Sequence, residues 1–184
     1  MEKANNSHNK ILWITRTGVL IAMLIALQWS TAGTQAFAGQ YITGSLVNFV
    51  LAMAAMFAGL WNGLAVALIS PFCAYLLGIG PALIQIVPCI ALGNCVYVVV
   101  LWLFARKWCC WKAILGVALA AAAKFVTLYV AVVKVLIPVM GDALKAPQVQ
   151  KFTAMFSVPQ LITALIGGTL ALALAPIVRK GIRK

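Results

Sequence analysis

Lys124 is the position with the greatest capacity for chemistry. It lies near the middle of the apolar span read over 113–135. A charged side chain at membrane depth is costly and marks function. No span supplies an acidic partner, because the only carboxylates are Glu2 near the start of the chain and Asp142 in a polar connection. Three accounts then fit: a neutral amine, an aqueous cavity, or a partner that arrives with a ligand. A carboxylate or another anionic or electron-rich group would satisfy it. A fourth account has the long stem carry the amine to the surface or onto helix carbonyls, and that is the simpler reading for Lys134, nearer the helix end. Thr127, Leu128 and Ala131 share the helical face of Lys124.

Further polar groups cluster toward the same end of the spans. Gln85 opens the fourth span, Gln160 sits about 7 Å inside the sixth at the rise of an α-helix, and Asn48 lies near the matching end of the second. Gln160, Thr163 and Gly167 share one face, a polar and small stripe able to line a pocket. Asn94 and Gln85 point in opposite directions on an ideal helix unless Pro88 bends it. Each of these residues is equally consistent with simple bridging between neighbouring helices. Catalysis is poorly supplied: there is no carboxylate pair, the one histidine is His8, and neither Ser70 before Pro71 nor Ser157 near Pro159 has a histidine base. The five cysteines include an adjacent pair, Cys109 and Cys110, without the two-residue gap of zinc or redox motifs. No metal and no cofactor is expected, and the chain is read as a non-enzyme.

The elements that carry these residues follow from composition. Of 184 residues 65% are hydrophobic and only 9% are charged, with a mean hydropathy of +1.07. That excludes a soluble domain and supplies about six bilayer spans of roughly 20 residues. Polar and Gly/Pro interruptions place them at 11–28, 46–60, 63–77, 82–105, 113–135 and 155–177, after a polar tail over 1–10. The second and third, separated by Trp61 and Asn62, form a helical hairpin; the fifth ends at Pro138. Neither an internal repeat nor a linker divides the chain, and no cleaved leader is read at its start. The net charge of +12 is concentrated in Lys3, Lys10 and Arg16, in Arg106, Lys107 and Lys112, and in Arg179, Lys180, Arg183 and Lys184. That bias predicts an all-α integral membrane domain with six spans and both termini cytoplasmic. The first span carries Gly18, Ala22 and Ala26 at four-residue spacing, a small-residue ridge on which another helix can pack closely.

Taken together, the size, the Ala22-Met-Leu-Ile-Ala26 pattern, the long uncharged segment over 29–43, the Trp61-Asn62 hairpin and the Ser70-Pro71-Phe72 and Leu92-Gly93-Asn94 segments resemble the substrate-binding S-component of energy-coupling factor (ECF) transporters, the vitamin importers of prokaryotes. The resemblance implies capture of a scarce small molecule in an outward-facing pocket. It also implies a lid after the first span that would hold Trp29, Gln35, Phe37, Gln40, Tyr41 and Thr43. The Gly18, Ala22 and Ala26 ridge would dock on a transmembrane coupling subunit driven by two ATPases. ATP hydrolysis would belong to those partners, since the chain has no phosphate-binding G-x-x-x-x-G-K-[ST] segment, and nucleic acid has no part in the scheme. A strongly cationic cargo would lack a counter-charge; pantothenate, a flavin, folate, a nicotinic-acid-like molecule and a modified-base precursor remain candidates. The rival readings are a self-contained oligomeric transporter or channel, and a non-catalytic membrane scaffold.

Overall fold

In lipid the backbone must satisfy its own hydrogen bonds, so long apolar segments fold as helices. The computed structural model describes residues 2–31, 37–79, 83–105 and 110–182, and among them no strand forms. We label the helices α1 (Glu2–Thr31), α2 (Phe37–Met53), α3 (Leu60–Leu76), α4 (Ile86–Ala105), α5 (Cys110–Leu128), α6 (Ala146–Met155) and α7 (Val158–Ile182). A wide π-helical segment, Ala54–Ala58, extends α2, and a second one, Tyr129–Leu136, followed by Ile137–Met140, extends α5. Five helical runs are long and apolar enough to cross a membrane: Lys10–Thr31, Gly39–Ala58, Ile86–Phe104, Trp111–Met140 and Ala146–Gly181. The α3 helix, at 17 residues, is at the short end of the spanning range. Large apolar side chains such as Ile14, Trp61, Leu76, Leu103, Val139 and Ile177 face outward, a surface suited to hydrocarbon rather than water.

Several boundaries differ from the sequence reading. The segment 29–43 is mostly helix rather than loop. Trp29 belongs to the end of α1, while Phe37, Gln40, Tyr41 and Thr43 lie in α2; Gln35 falls outside the described residues. Just past the segment, a Cβ at Gly44 would stand 2.9 Å from Thr163 Cγ2, so Gly44 lets α2 and α7 approach rather than marking a turn. The polar tail is helical from Glu2. The fifth span does not stop at Pro138. The π segment ahead of that residue widens the helix, and the chain runs on to Met140 before turning at Gly141. The connection that follows contains α6, with Pro147 in its first turn and the Lys145 backbone N–H donating to Gln148 Oε1 at 3.0 Å.

The turn between α2 and α3 is shorter than expected. Gly59 alone forms it, with φ 94° and ψ 173°, a conformation that only glycine adopts without strain. Trp61 and Asn62 are therefore the second and third residues of α3. Asn62 is buried and ties α3 to α1, its Nδ2 donating to the Trp13 carbonyl oxygen at 3.1 Å and to Thr17 Oγ1 at 2.9 Å.

The bundle centre consists of α2, α4, α5 and α7, with α2 packed on α7, α4 on α5 and α5 on α7; α3 lies against α4, and α1 leans on α2 and α3. Leu24, Val50, Leu51, Val66, Tyr97, Leu101, Ala120, Ala121 and Ala171 belong to one core. A second cluster joins Ile86, Leu128 and Val132 to Phe152 and Phe156 of the α6 region. This anchoring explains why the 141–155 connection is ordered as a helix despite its polar composition.

Candidate functional site

Each central helix contributes one polar side chain to a common point. Lys124 projects from the C-terminal half of α5, near the middle of the Trp111–Met140 run, and its Nζ donates to Asn48 Oδ1 of α2 and to Asn94 Oδ1 of α4, both at 2.6 Å. The three residues are 3%, 1% and 1% exposed, so this is an interior amine–amide centre and Lys124 does not reach for the surface. Two amide dipoles turned oxygen-first toward one amine give an acceptor to each of two N–H donors. Asn48 Nδ2 in turn donates to Thr163 Oγ1 of α7 at 3.3 Å, and that hydroxyl donates to the Gln160 carbonyl oxygen at 3.2 Å. The Tyr97 ring lies under the amine, 5.5 Å from Nζ to centroid, a cation–π distance. Its hydroxyl is fixed by donation to the Ala164 carbonyl oxygen at 2.9 Å.

An ammonium has three N–H donors. Two donors are held by Asn48 and Asn94, and in the protonated form the third would be directed to the Tyr97 face or to an acceptor on a bound molecule. Among the described residues Lys124 has no carboxylate partner.

Close helix approach makes the convergence possible. At Gly167 a Cβ would sit 2.5 Å from the Ser45 carbonyl oxygen and 2.6 Å from Phe49 N, so α7 presses directly on the α2 backbone beside Asn48. The Gln160, Thr163 and Gly167 stripe thus faces α2. A second polar knot lies at the α6–α7 turn, where Gln40 Nε2 and Gln160 Nε2 both donate to the Met155 carbonyl oxygen, at 3.0 and 3.1 Å. Thr43 Oγ1 donates to Thr31 Oγ1 at 2.7 Å, joining the ends of α1 and α2.

Of the residues singled out by sequence, Lys124, Asn48, Asn94 and Thr163 meet, and Gln160 lies one turn from Thr163. Gln160 is only the third residue of α7, because the chain breaks at 156–157; it is shallower than the span starting at 155 implied. Thr127 is not part of the centre, its hydroxyl being bonded to the Ala123 carbonyl oxygen of its own helix at 2.8 Å. Gln85 is exposed in the turn before α4. Tyr41 is half-buried and Trp29 exposed. Gly18, Ala22 and Ala26 are all exposed on α1, whereas Leu24 faces the core. Lys134 is exposed, with its Nζ 5.7 Å from the Tyr129 ring centroid. Tyr97 was missed by the sequence reading; the signal for it was its spacing of three residues from Asn94, which places both on one helix face.

Long apolar helices converging on a buried amine–amide centre define a multi-pass membrane protein with a polar centre in its interior. Over residues 13–179 the chain matches the family described as "ECF transporter, substrate-specific component". That match takes in nearly the whole chain, and the protein belongs to this family of integral membrane, substrate-binding transporter subunits. No curated protein and no solved structure matches it.

Proposed function

We propose that the chain is the high-affinity capture subunit of an ATP-driven importer, embedded in the plasma membrane of a prokaryote and specific for a vitamin or related small molecule that is neutral or anionic. The observation that carries this reading is the enclosed Lys124 amine with two amide oxygens and no carboxylate around it. A cationic cargo would meet like charge there, whereas a carboxylate or carbonyl edge would find a donor. The reading keeps six spans in one domain, with α3 the short one and both termini cytoplasmic. It makes Lys124, Asn48, Asn94 and Thr163 the floor of the site, with Gln160 and Gln40 above them. The ends of α1 and α2 on either side of 32–36 serve as the lid. The energy comes from two ATPase partners acting through a transmembrane coupling subunit.

The test is native mass spectrometry of the detergent-purified protein with identification of co-purifying small molecules, followed by calorimetric titration. A ligand held at nanomolar affinity, roughly −12 kcal/mol, supports capture. A protein that stays empty against cell extract would overturn it in favour of a channel or scaffold. A second outcome concerns the exposed ridge on α1. Changing Ala22 and Ala26 together to Leu is expected to abolish uptake in cells carrying the coupling module while leaving ligand affinity within about twofold, because neither side chain is part of the core. Loss of binding in that variant would contradict the division between a docking face and a capture site.

A further inference from the structure

Among the described residues Tyr97 is the largest side chain with no exposed surface. It follows Asn94 by three positions and so shares its face of α4. Apolar packing alone would be met by phenylalanine, and a buried hydroxyl adds the cost of finding a partner. Here the partner is the Ala164 carbonyl oxygen, at 2.9 Å. Space for the phenol head comes from Gly168, one turn along α7, where a Cβ would stand 2.8 Å from the hydroxyl oxygen and 2.6 Å from Val117 Cγ1 of α5. The ring is therefore pinned at its far edge, with its face held toward the amine.

The α7 helix addresses the centre twice. Thr163 Oγ1 accepts from the Asn48 amide at 3.3 Å, and the next residue, Ala164, accepts from the Tyr97 hydroxyl. Two of the three groups around Lys124, from two different helices, are thus set by consecutive residues of one helix. The amine itself has three partners among the described residues: the Oδ1 atoms of Asn48 and Asn94, both at 2.6 Å, and the Tyr97 ring, 5.5 Å away at its centroid. Either form of the amine can give an N–H to each amide. The forms differ in the third position, which is a lone pair on the neutral amine and an N–H on the ammonium. An electron-rich ring face repels the first and attracts the second, so Tyr97 complements the ammonium. The ring is also the weakest of the three partners, being the most distant and the least directional, and is the one an incoming acceptor displaces.

We infer that Tyr97 is a positioning residue whose ring face holds the third N–H of Lys124 while the site is empty and gives it up to an acceptor on the captured molecule. This rests on the reading of the Lys124 centre as the ligand site. An interaction made in the empty state and surrendered in the complex subtracts from affinity, because binding follows the difference between the two states. Draining the π face without changing the ring's outline then has two effects of opposite sign: the empty protein becomes less stable and the ligand is held more tightly. A side chain that only fills the core moves neither quantity with its π density, and one that attracts the ligand directly moves both downward.

The experiment places phenylalanine and its mono-, di- and trifluorinated forms at position 97 of the full-length, detergent-purified protein. Each variant is melted without ligand. Each is also incubated with the small-molecule extract of the producing cells, the retained compound is weighed by native mass spectrometry, and the identified compound is titrated. The same series in the Lys124→Met/Asn48→Leu/Asn94→Leu background removes the charge and isolates any steric effect of the fluorines. The expected result is a stepwise fall in ligand-free melting temperature with fluorination and an affinity that rises about 3- to 10-fold across the series, with no such trend in melting when the amine is absent. Equal melting trends in the two backgrounds, or none in either, reduce Tyr97 to packing and overturn the inference. Affinity that falls with fluorination overturns the surrender of the N–H, since the ring would then be at work in the complex, and leaves the capture reading standing. A protein with native Tyr97 that retains nothing from the extract overturns the capture reading, while the two melting series still decide whether Tyr97 holds the amine.

Discussion

Lys124→Met is expected to weaken ligand binding by about 100-fold or more and to lower stability by about 2–4 kcal/mol, since hydrogen bonds to a charged group are among the stronger ones and both partners would be stranded. The stability loss has a specific source: Asn48 and Asn94, each 1% exposed, turn their Oδ1 atoms onto the amine. A triple variant separates the two effects. Adding Asn48→Leu and Asn94→Leu to Lys124→Met removes the stranded acceptors, and replacing a buried polar set by apolar groups of similar shape is often neutral or stabilising. Thermal melts should therefore recover in the triple variant, while calorimetry should show no recovery of binding. Recovery of both would make the centre a structural tie only, and the ligand would have to sit elsewhere.

The next largest effect is expected at Gly167. A single methyl group there meets backbone on α2, 2.5 Å from the Ser45 carbonyl oxygen and 2.6 Å from Phe49 N, and backbone cannot rotate away as a side chain can. Gly167→Ala is expected to destabilise the protein by about 3 kcal/mol or more, at the upper end of overpacking costs, and to reduce ligand affinity because α2 carries Asn48. Size-exclusion monodispersity and a melting curve read the first effect, and calorimetry the second. Gly18 is the internal control: a Cβ there meets nothing within 4 Å, so Gly18→Ala should keep the fold intact. Equal melting of the two variants would show that α2 and α7 have slack at their crossing.

Much of the centre was legible because its signals were contrasts. A lysine in an alanine-rich span and asparagines in otherwise apolar helices stand out against a uniform background, and their membrane setting gives them meaning. What sequence could not give was how glycine was being used. Gly44, just past the 29–43 segment, is a residue type that often serves turns, yet in the fold it permits contact with Thr163. Nothing local distinguishes the two uses, since the contact is with a residue more than a hundred positions away. Asn62 reads as a turn residue for the same reason; its partners, Trp13 and Thr17, are on a helix far back in the chain. The α6 helix was hidden by polarity, because its order comes from Phe152 and Phe156 docking on Val132 and Leu128 and not from its own composition.

The Gly59 reversal has a kinematic meaning. Its amide donates back to the Ala54 carbonyl oxygen at 3.1 Å, and its own carbonyl accepts from Gly63 N at 3.0 Å, so the single connecting residue is clamped from both sides. Three positions later Asn62 grips α1. The first three helices are thus riveted at one corner, and the Thr43–Thr31 hydrogen bond ties α1 to α2 again at the opposite end, so the trio is a frame braced at both ends of its α1–α2 side.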